Sequence, residues 1–316
     1  DKVTLGNVDY TPWRYGATDL PVIEVDSNVS TNTTWSSDTV YHLKNNISVL
    51  SGAVLTVQPG SIVKFAPNVS LTVDGSIIAD GTTDKLIFFT SEKDDAAGGD
   101  SNNDGDATLP DRGDWGQITI NGTGSSFSYG VIRFGSGSTA VLDIKTPTSL
   151  SNLSISTNSR SGIFSEASQS GWSAVRSIDN SYYGIQIRRQ SIELSNSETS
   201  LNGFDGLYVQ NSSTSQSIQL TGLTSTYNDR YGVYVDGSTT YNQTQFEWMT
   251  NSVVSFNGQE GVRIINSPVP VSFTGNTLEN NGTHGISLNH NGGRADVSFE
   301  NNVLRNNGEA GVLSSQ

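Results

Sequence analysis

Seven copies of Asn-x-x-x-Gly, each followed by Ile, Leu or Val, punctuate the second half of this chain. The pairs are Asn158/Gly162, Asn180/Gly184, Asn202/Gly206, Asn228/Gly232, Asn257/Gly261, Asn281/Gly285 and Asn307/Gly311, and the steps from Gly to Gly are 22, 22, 26, 29, 24 and 26 residues. The motif keeps its internal spacing while the rest of each unit stretches. The aliphatic residue after the Gly is answered two positions on by Ile187, Val209, Val235, Ile264 or Leu288. Alternation of this kind marks a strand with one buried face. Such a strand is too short to be stable alone, and it recurs once per unit, so it must pair in parallel with its own copy in the next unit. The fold class is therefore all-β, a parallel β-helix with coils about 4.8 Å apart.

Asn suits the turn before each strand, because its short side chain tolerates left-handed backbone and its amide both donates and accepts. Stacked once per coil, the amides of Asn158, Asn180, Asn202, Asn228, Asn257, Asn281 and Asn307 form an internal Asn ladder. Gly four residues later is expected to supply an unusual φ where the chain re-enters the strand. The first half repeats differently: Leu55-Thr-Val-Gln-Pro-Gly-Ser-Ile62 is echoed by Leu71-Thr-Val-Asp-Gly-Ser-Ile77, then by Leu86-Ile-Phe-Phe-Thr90 and Gln117-Ile-Thr-Ile120. These short strands with Gly turns extend the same cylinder. The expected organisation is a lead-in or capping segment over 1–38 and a solenoid over 39–316, interrupted by an Asp-rich loop insertion at about 92–113.

With 17 Lys plus Arg against 31 Asp plus Glu, the net charge of −14 repels phosphate backbones and anionic lipid. Nucleic acid is not an expected partner. No apolar run approaches bilayer length, so membrane insertion is not expected either. The Cys count of 0 removes disulfides, thiolate metal sites and thiol chemistry. The chain stops directly after Gly311-Val-Leu313, where a solenoid presents an unpaired edge. Further modules of the same chain, or end-to-end self-assembly, are expected there, which makes this a fragment of a longer multi-module protein.

Gly52-Ala-Val-Leu-Thr-Val-Gln-Pro-Gly60, Phe89-Thr-Ser91, Asp94-Asp95, Gly113-Asp-Trp-Gly116 and the Asn-x-x-x-Gly coils together resemble the right-handed parallel β-helix repeat proteins of the pectin-lyase-like superfamily. The resemblance implies a right-handed, single-stranded helix over nearly the whole chain. It is narrower with the large exported surface proteins of prokaryotes, in which a segment like Asn7-Val-Asp-Tyr-Thr-Pro-Trp13 closes one block before the next. That likeness implies an extracellular or cell-surface location. The Asn-Thr-Asp, Asp-Asp, Gly-His-Gly and Arg-Ile-Lys motifs of polygalacturonase-like members are not in place: Asp94-Asp95 falls in the insertion, His284 precedes a single Gly, and Arg263-Ile-Ile lacks the Lys.

Within the insertion, Asp100-Ser-Asn102-Asn-Asp104-Gly105-Asp106 sets oxygen-bearing side chains at every second position with Gly at the sixth. A short loop of this pattern wraps a hard cation, and Ca²⁺ fits best. The expected ligands are Asp100, Asn102, Asp104, Asp106 and, at the twelfth position, Asp111 where Glu is usual; Glu92, Asp94, Asp95 and Asp114 stand near enough in sequence to add more. The ion's role would be to order the insertion.

Counting two and four residues past each Gly gives the outward positions of the strand face: Phe164, Gln186, Tyr208, Tyr234, Arg263 and Ser287, then Glu166, Arg188, Gln210, Asp236, Ile265 and Asn289. Glu166 and Asp236 stand three coils apart, about 14 Å, too far for a glycosidase pair. Asp205 and Glu260, two coils apart, are a strained alternative. Tyr208 and Tyr234 on neighbouring coils, flanked by Arg188, Arg263 and Asp236, make a platform on which a sugar ring could stack. The leading expectation is a non-enzymatic structural or adhesive module stiffened by Ca²⁺. The alternatives are a polysaccharide lyase or hydrolase working along the strand face, and a glycan-binding module without chemistry.

Overall fold

The computed structural model describes residues 20–105, 107–210, 216–237, 244–266, 271–289 and 296–315. Among them there is no α-helix, and every strand pairing is parallel. No described helix is long and apolar enough to cross a membrane. The strands wind into coils with three faces. The first face is an 11-stranded sheet running from Ile47–Val49 to Val312–Ser315, and it contains every strand that follows an Asn-x-x-x-Gly motif. The second face carries strands such as Val54–Val57, Ile192–Ser195 and Val271–Thr274, and the third face carries Ile62–Phe65, Ile87–Ser91 and Thr224–Thr226. Two long strands, Ser125–Arg133 and Thr148–Ser156, run through both of these faces and join them into one sheet.

The solenoid begins earlier than the sequence repeat suggested. Val22–Val25 pairs with Val40–Leu43, and Thr33–Trp35 pairs with Leu55–Val57, so residues from Val22 onward already form a coil instead of a separate lead-in. Residues 1–19, including Asn7–Trp13, lie outside the described part.

Inward side chains stack in columns. Ile163, Ile185, Leu207, Val233, Val262 and Ile286 are each 0% exposed and sit in consecutive register. The column places like on like at one coil spacing, so a uniform aliphatic residue fills each layer without voids.

The Asn ladder is continuous. Each side-chain amide donates to the next Asn Oδ1, at 2.8 Å from Asn158 to Asn180 and 3.1 Å from Asn180 to Asn202. The later steps, through Asn228, Asn257 and Asn281 to Asn307, are 3.0, 2.9, 3.0 and 3.0 Å. The same Oδ1 also accepts the backbone N–H of the preceding Asn, as Asn202 does from Asn180 at 3.1 Å. The amides thereby satisfy buried backbone groups at a corner where the sheet ladder is interrupted.

Two details of that corner differ from expectation. The left-handed residue is the one before each Asn: Thr157, Asp179, Leu201, Tyr227, Phe256, Asn280 and Asn306 have φ between 54° and 60°. The motif glycines are not left-handed. They are required by close approach, since a Cβ on Gly184 would lie 2.6 Å from the Gly206 carbonyl and 2.7 Å from Asn202 Nδ2. A second, shorter ladder occupies the corner between the second and third faces, where Ser252 Oγ accepts from Leu223 N–H, Asn276 Oδ1 from Ser252 N–H, and Asn302 Oδ1 from Asn276 N–H.

The insertion leaves the third face after Ile87–Ser91 and lies back over it. Ala97 packs on Val40 and Ile62, while the buried Lys64 donates to the Gly99 carbonyl at 2.5 Å. His42, also fully buried, meets Glu92 at 2.7 Å.

Candidate functional site

On the first face the outward column reads, in register, Thr72, Thr119, Asp143, Phe164, Gln186, Tyr208, Tyr234, Arg263 and Ser287. Parallel in-register pairing holds these side chains at one coil spacing, about 4.8 Å. Tyr208 and Tyr234 are therefore face to face, with centroids 5.2 Å apart at 18°. Tyr183 and Tyr231, on the corner before the strand, lean on them at 4.9 and 5.0 Å. Behind Tyr183 the corner continues as a second stack: Tyr182 lies on Phe204 at 4.7 Å, and the Arg230 guanidinium covers Phe204 at 5.0 Å. All of these contacts but Tyr231–Tyr234, which lies within one coil, join residues about one coil apart, so the aromatic array is a direct product of the repeat.

The charges around the array are paired internally. Asp205, 0% exposed at its side chain, accepts two hydrogen bonds of 2.9 Å from Arg230. Burial pushes its carboxyl up to about 6, with the Arg230 contacts holding it from rising further. Glu260 is held by Arg263 at 2.7 Å, and the Arg263 guanidinium lies 5.5 Å over Tyr231. Burial, then the neighbouring Asp236 charge, pushes the Tyr208 hydroxyl well above its usual range and Tyr234 up to about 12. Asp236 is itself raised by burial, with Arg263 opposing. Desolvation dominates throughout, as expected for polar tips inside an aromatic wall.

Of the five residues grouped from sequence, the structure brings together Tyr208, Tyr234, Asp236 and Arg263. Arg188 faces the other way: it pairs with Glu166 at 3.1 Å and covers Phe164 at 4.9 Å, forming a separate cluster with Lys145 and Asp143. Asp205 and Glu260 are each committed to an arginine and do not face each other as an acid–base pair. Sequence reasoning missed Tyr183, Phe204, Tyr231 and Arg230, which precede the motif glycines by one or two residues instead of following them. Their signal was an aromatic or arginine recurring at the positions after Asn180, Asn202 and Asn228. His284 meets Glu309 at 3.2 Å on the same corner, and His290 lies outside the described residues.

In the insertion, Asp95, Asp100 and Asp104 each place a carboxylate oxygen within 4.8 Å of the others. Asp100 Oδ2 accepts the Gly105 N–H at 2.8 Å, which holds that carboxyl below the usual range. Asn102 is present, but its amide nitrogen donates to Asp104 Oδ2 at 3.0 Å. The Asn102 Oδ1 and Asp104 Oδ1 atoms are buried without a hydrogen-bond partner. Asp111 stands apart, its Oδ1 accepting the Arg112 N–H at 2.7 Å, and Asp106 lies outside the described residues. The remaining acids of the run are answered by protein cations, Asp94 by Arg133 at 2.7 Å and Asp114 by Lys93 at 2.7 Å. The carboxylates that the structure gathers are thus those of Asp95, Asp100 and Asp104, a group narrower than the linear motif and displaced toward its start.

Residues 176–316 match the family model described as a right handed beta helix region. The chain is a right-handed parallel β-helix. Similar solved structures include the A-modules of two mannuronan C-5 epimerases of Azotobacter vinelandii. The AlgE4 module is 14% identical with a TM-score of 0.52, over 92% of this chain and 98% of that one. The AlgE6 module is 14% identical with a TM-score of 0.51, over 90% and 91%. Tailspike protein 3 of bacteriophage CBA120 is 10% identical with a TM-score of 0.40, over 91% of this chain and 55% of that one. None of the curated proteins matches the sequence. At these identities the likeness concerns the β-helix fold.

Proposed function

We propose that this β-helix is a non-enzymatic extracellular module of a cell-surface or matrix protein, which adheres to glycan through its first face and is stiffened by Ca²⁺ in its insertion. The observation that carries the reading is the stacked array of Tyr183, Tyr208, Tyr231 and Tyr234, a rigid aromatic wall one coil spacing per ring. A sugar chain laid along such a wall meets the outward edges of the rings, and tyrosine hydroxyls and Asp236 at the rim supply hydrogen bonds that fix orientation. Little entropy is lost on binding, because the ladder and sheet already hold the side chains. The ionisable groups favour binding over turnover: Asp205 and Glu260 are neutralised by arginines, and both platform tyrosines are moved away from the phenolate form that a base would need.

Asp95, Asp100, Asp104 and Asn102 would hold the cation, whose role there is to bind carboxylates and order the loop. The third-face contacts of Lys64, His42 and Ala97 tie that loop to the solenoid, so ordering it stiffens the coils beneath.

A glycan array probed with the wild type and with Tyr208→Ala/Tyr234→Ala tests the binding. Truncating both rings should weaken glycan capture at least about 30-fold, the scale of one buried aromatic anchor worth about 2 kcal/mol. Incubation with neutral polysaccharides and with polyuronates, including mannuronan, followed by assay for new reducing ends, unsaturated products and altered uronate stereochemistry, tests the absence of chemistry. Robust turnover of any of these would refute it.

A further inference from the structure

Four coils before Tyr208, the same outward column passes a cleft that the aromatic platform does not include. It has a volume of about 440 Å³ and is lined by Asn68, Ser70, Thr72, Gln117, Thr119 and Ser136, with Trp115, two glycines and Ser138 completing the wall. The volume lies in the range of small-ligand clefts. None of the lining side chains is charged. The register steps Thr119, Asp143, Phe164, Gln186 and Tyr208 put the cleft about 19 Å from the platform along the axis, on one continuous face.

The lining is partly fixed and partly unsatisfied. Gln117 donates from Nε2 to Thr119 Oγ1 at 2.6 Å and accepts the Ser138 N–H at 2.8 Å, while Ser70 Oγ accepts the Gln117 N–H at 3.1 Å. Those bonds lock the amide and one hydroxyl in place. Gly116 leaves the room this needs, since a Cβ there would lie 2.0 Å from Ser70 Oγ. The Thr72 and Ser136 hydroxyls, by contrast, line the opening without a bond to any described residue. The first ionic group met along the column is Asp143, and Lys145 beside it is shared with Asp143 at 2.8 Å and Glu166 at 2.9 Å. A ligand carboxylate would therefore find hydroxyls and amides but no uncommitted cation.

We infer that this cleft is a second sugar subsite for uncharged, hydroxyl-rich units of the same chain that lies along Tyr208 and Tyr234. The inference rests on the glycan-binding reading and adds to it a ligand class, a neutral polysaccharide, and a direction, along the solenoid axis. A chain long enough to reach from the platform to the cleft gains the hydrogen bonds of Thr72, Ser136 and Gln117, and a short one does not.

Isothermal titration of the whole chain with a length series of neutral oligosaccharides and a matching series of oligouronates tests this. The expected result is a rise in affinity of about tenfold once the neutral ligand spans both sites, abolished by Thr72→Val/Ser136→Ala and by the blocking variant Thr72→Tyr. Short ligands should bind wild type and both variants alike, which also shows that the variants are folded. Long neutral ligands that bind the variants as tightly as wild type, or oligouronates that gain the same cleft-dependent affinity, would overturn the inference while leaving the platform intact. Failure of the wild type to bind any sugar would instead remove the glycan-binding reading, and this subsite with it.

Discussion

Replacing Asn202 by Ala probes the internal ladder where it is deepest. The Asn202 side chain is 1% exposed and takes part in four hydrogen bonds. Its Oδ1 accepts from Asn180 N–H and Asn180 Nδ2 at 3.1 Å each, and its Nδ2 donates to the Ser177 carbonyl at 3.1 Å and Asn228 Oδ1 at 3.0 Å. Asn180 Nδ2 keeps its bond to Ser177 Oγ, and Asn228 Oδ1 keeps the Asn202 N–H, so two of the four partners are only partly deprived. The Asn180 N–H has no such reserve and is left buried and unpaired, at about 1–3 kcal/mol; adding roughly 1 kcal/mol for each weakened neighbour gives about 3–5 kcal/mol. Asn307→Ala removes the equivalent bonds to Asn281, but from a half-exposed position where water can replace them, so about 1 kcal/mol is expected. Urea denaturation followed by far-UV circular dichroism compares the two, taking the main transition because coils of a solenoid can unfold in blocks. An Asn202→Ala midpoint no lower than that of Asn307→Ala would show that the buried amides do not carry the stability assigned to them.

The motif glycines give a second such contrast: a Cβ at Gly206 would sit 2.3 Å from Ser225 Oγ and 2.6 Å from the Thr199 carbonyl, whereas at Gly311 the nearest atom is Leu304 Cβ at 3.4 Å. Gly206→Ala should lower stability by about 1–3 kcal/mol and Gly311→Ala by less than about 0.5, and equal melting temperatures would contradict the close-approach account. Burial depresses the His42 pKa below its ordinary 6.5, against the opposing Glu92 hydrogen bond. The unfolded chain then binds the proton more readily, so this contribution is full above about pH 6.5 and is lost as pH falls toward the folded-state value. Melting curves between pH 7.5 and pH 5 should fall less steeply for His42→Gln than for wild type, roughly by the His42 share, and parallel curves would exclude His42 as a source. Added Ca²⁺ should raise the melting temperature, by the equivalent of about 2.7 kcal/mol at a hundredfold excess over Kd, and Asp100→Asn/Asp104→Asn should abolish the rise. No calcium response in the wild type would dispose of the proposed ion.

The first face was legible because its register is tied to a motif with fixed spacing. Once Asn and Gly are located, period-two alternation assigns Tyr208 and Tyr234 outward and Leu207 and Val209 inward, and the pairing agrees residue for residue. The other two faces were not legible as separate sheets, because their strands begin at variable distances from the motif and their corners are made by Ser252, Asn276 and Asn302 in turn, not by one residue type. The left-handed position escaped for a related reason: Thr, Asp, Leu, Tyr, Phe and Asn all occupy it, so backbone geometry imposed by the stack overrides side-chain preference. The acidic loop was found by spacing, but spacing alone could not show that Asp111 turns away to Arg112 or that Asp95 turns in. Likewise the guanidiniums of Arg230 and Arg188 choose partners one coil away, a relation invisible until the coil lengths are aligned.

Every bond of the Asn158–Asn307 series runs from one turn of the chain to the next and none skips a turn. Length is thus quantised. Excising residues 185–206 would leave Gly184 followed by Leu207, rejoin like to like, and shorten the rod by one rise of about 4.8 Å while the Asn ladder and the first-face sheet keep their types of contact. Two features on opposite sides of such a cut would approach each other by that step and no other, so the gap between them behaves as a dial with discrete settings, adjustable by whole-turn gain or loss.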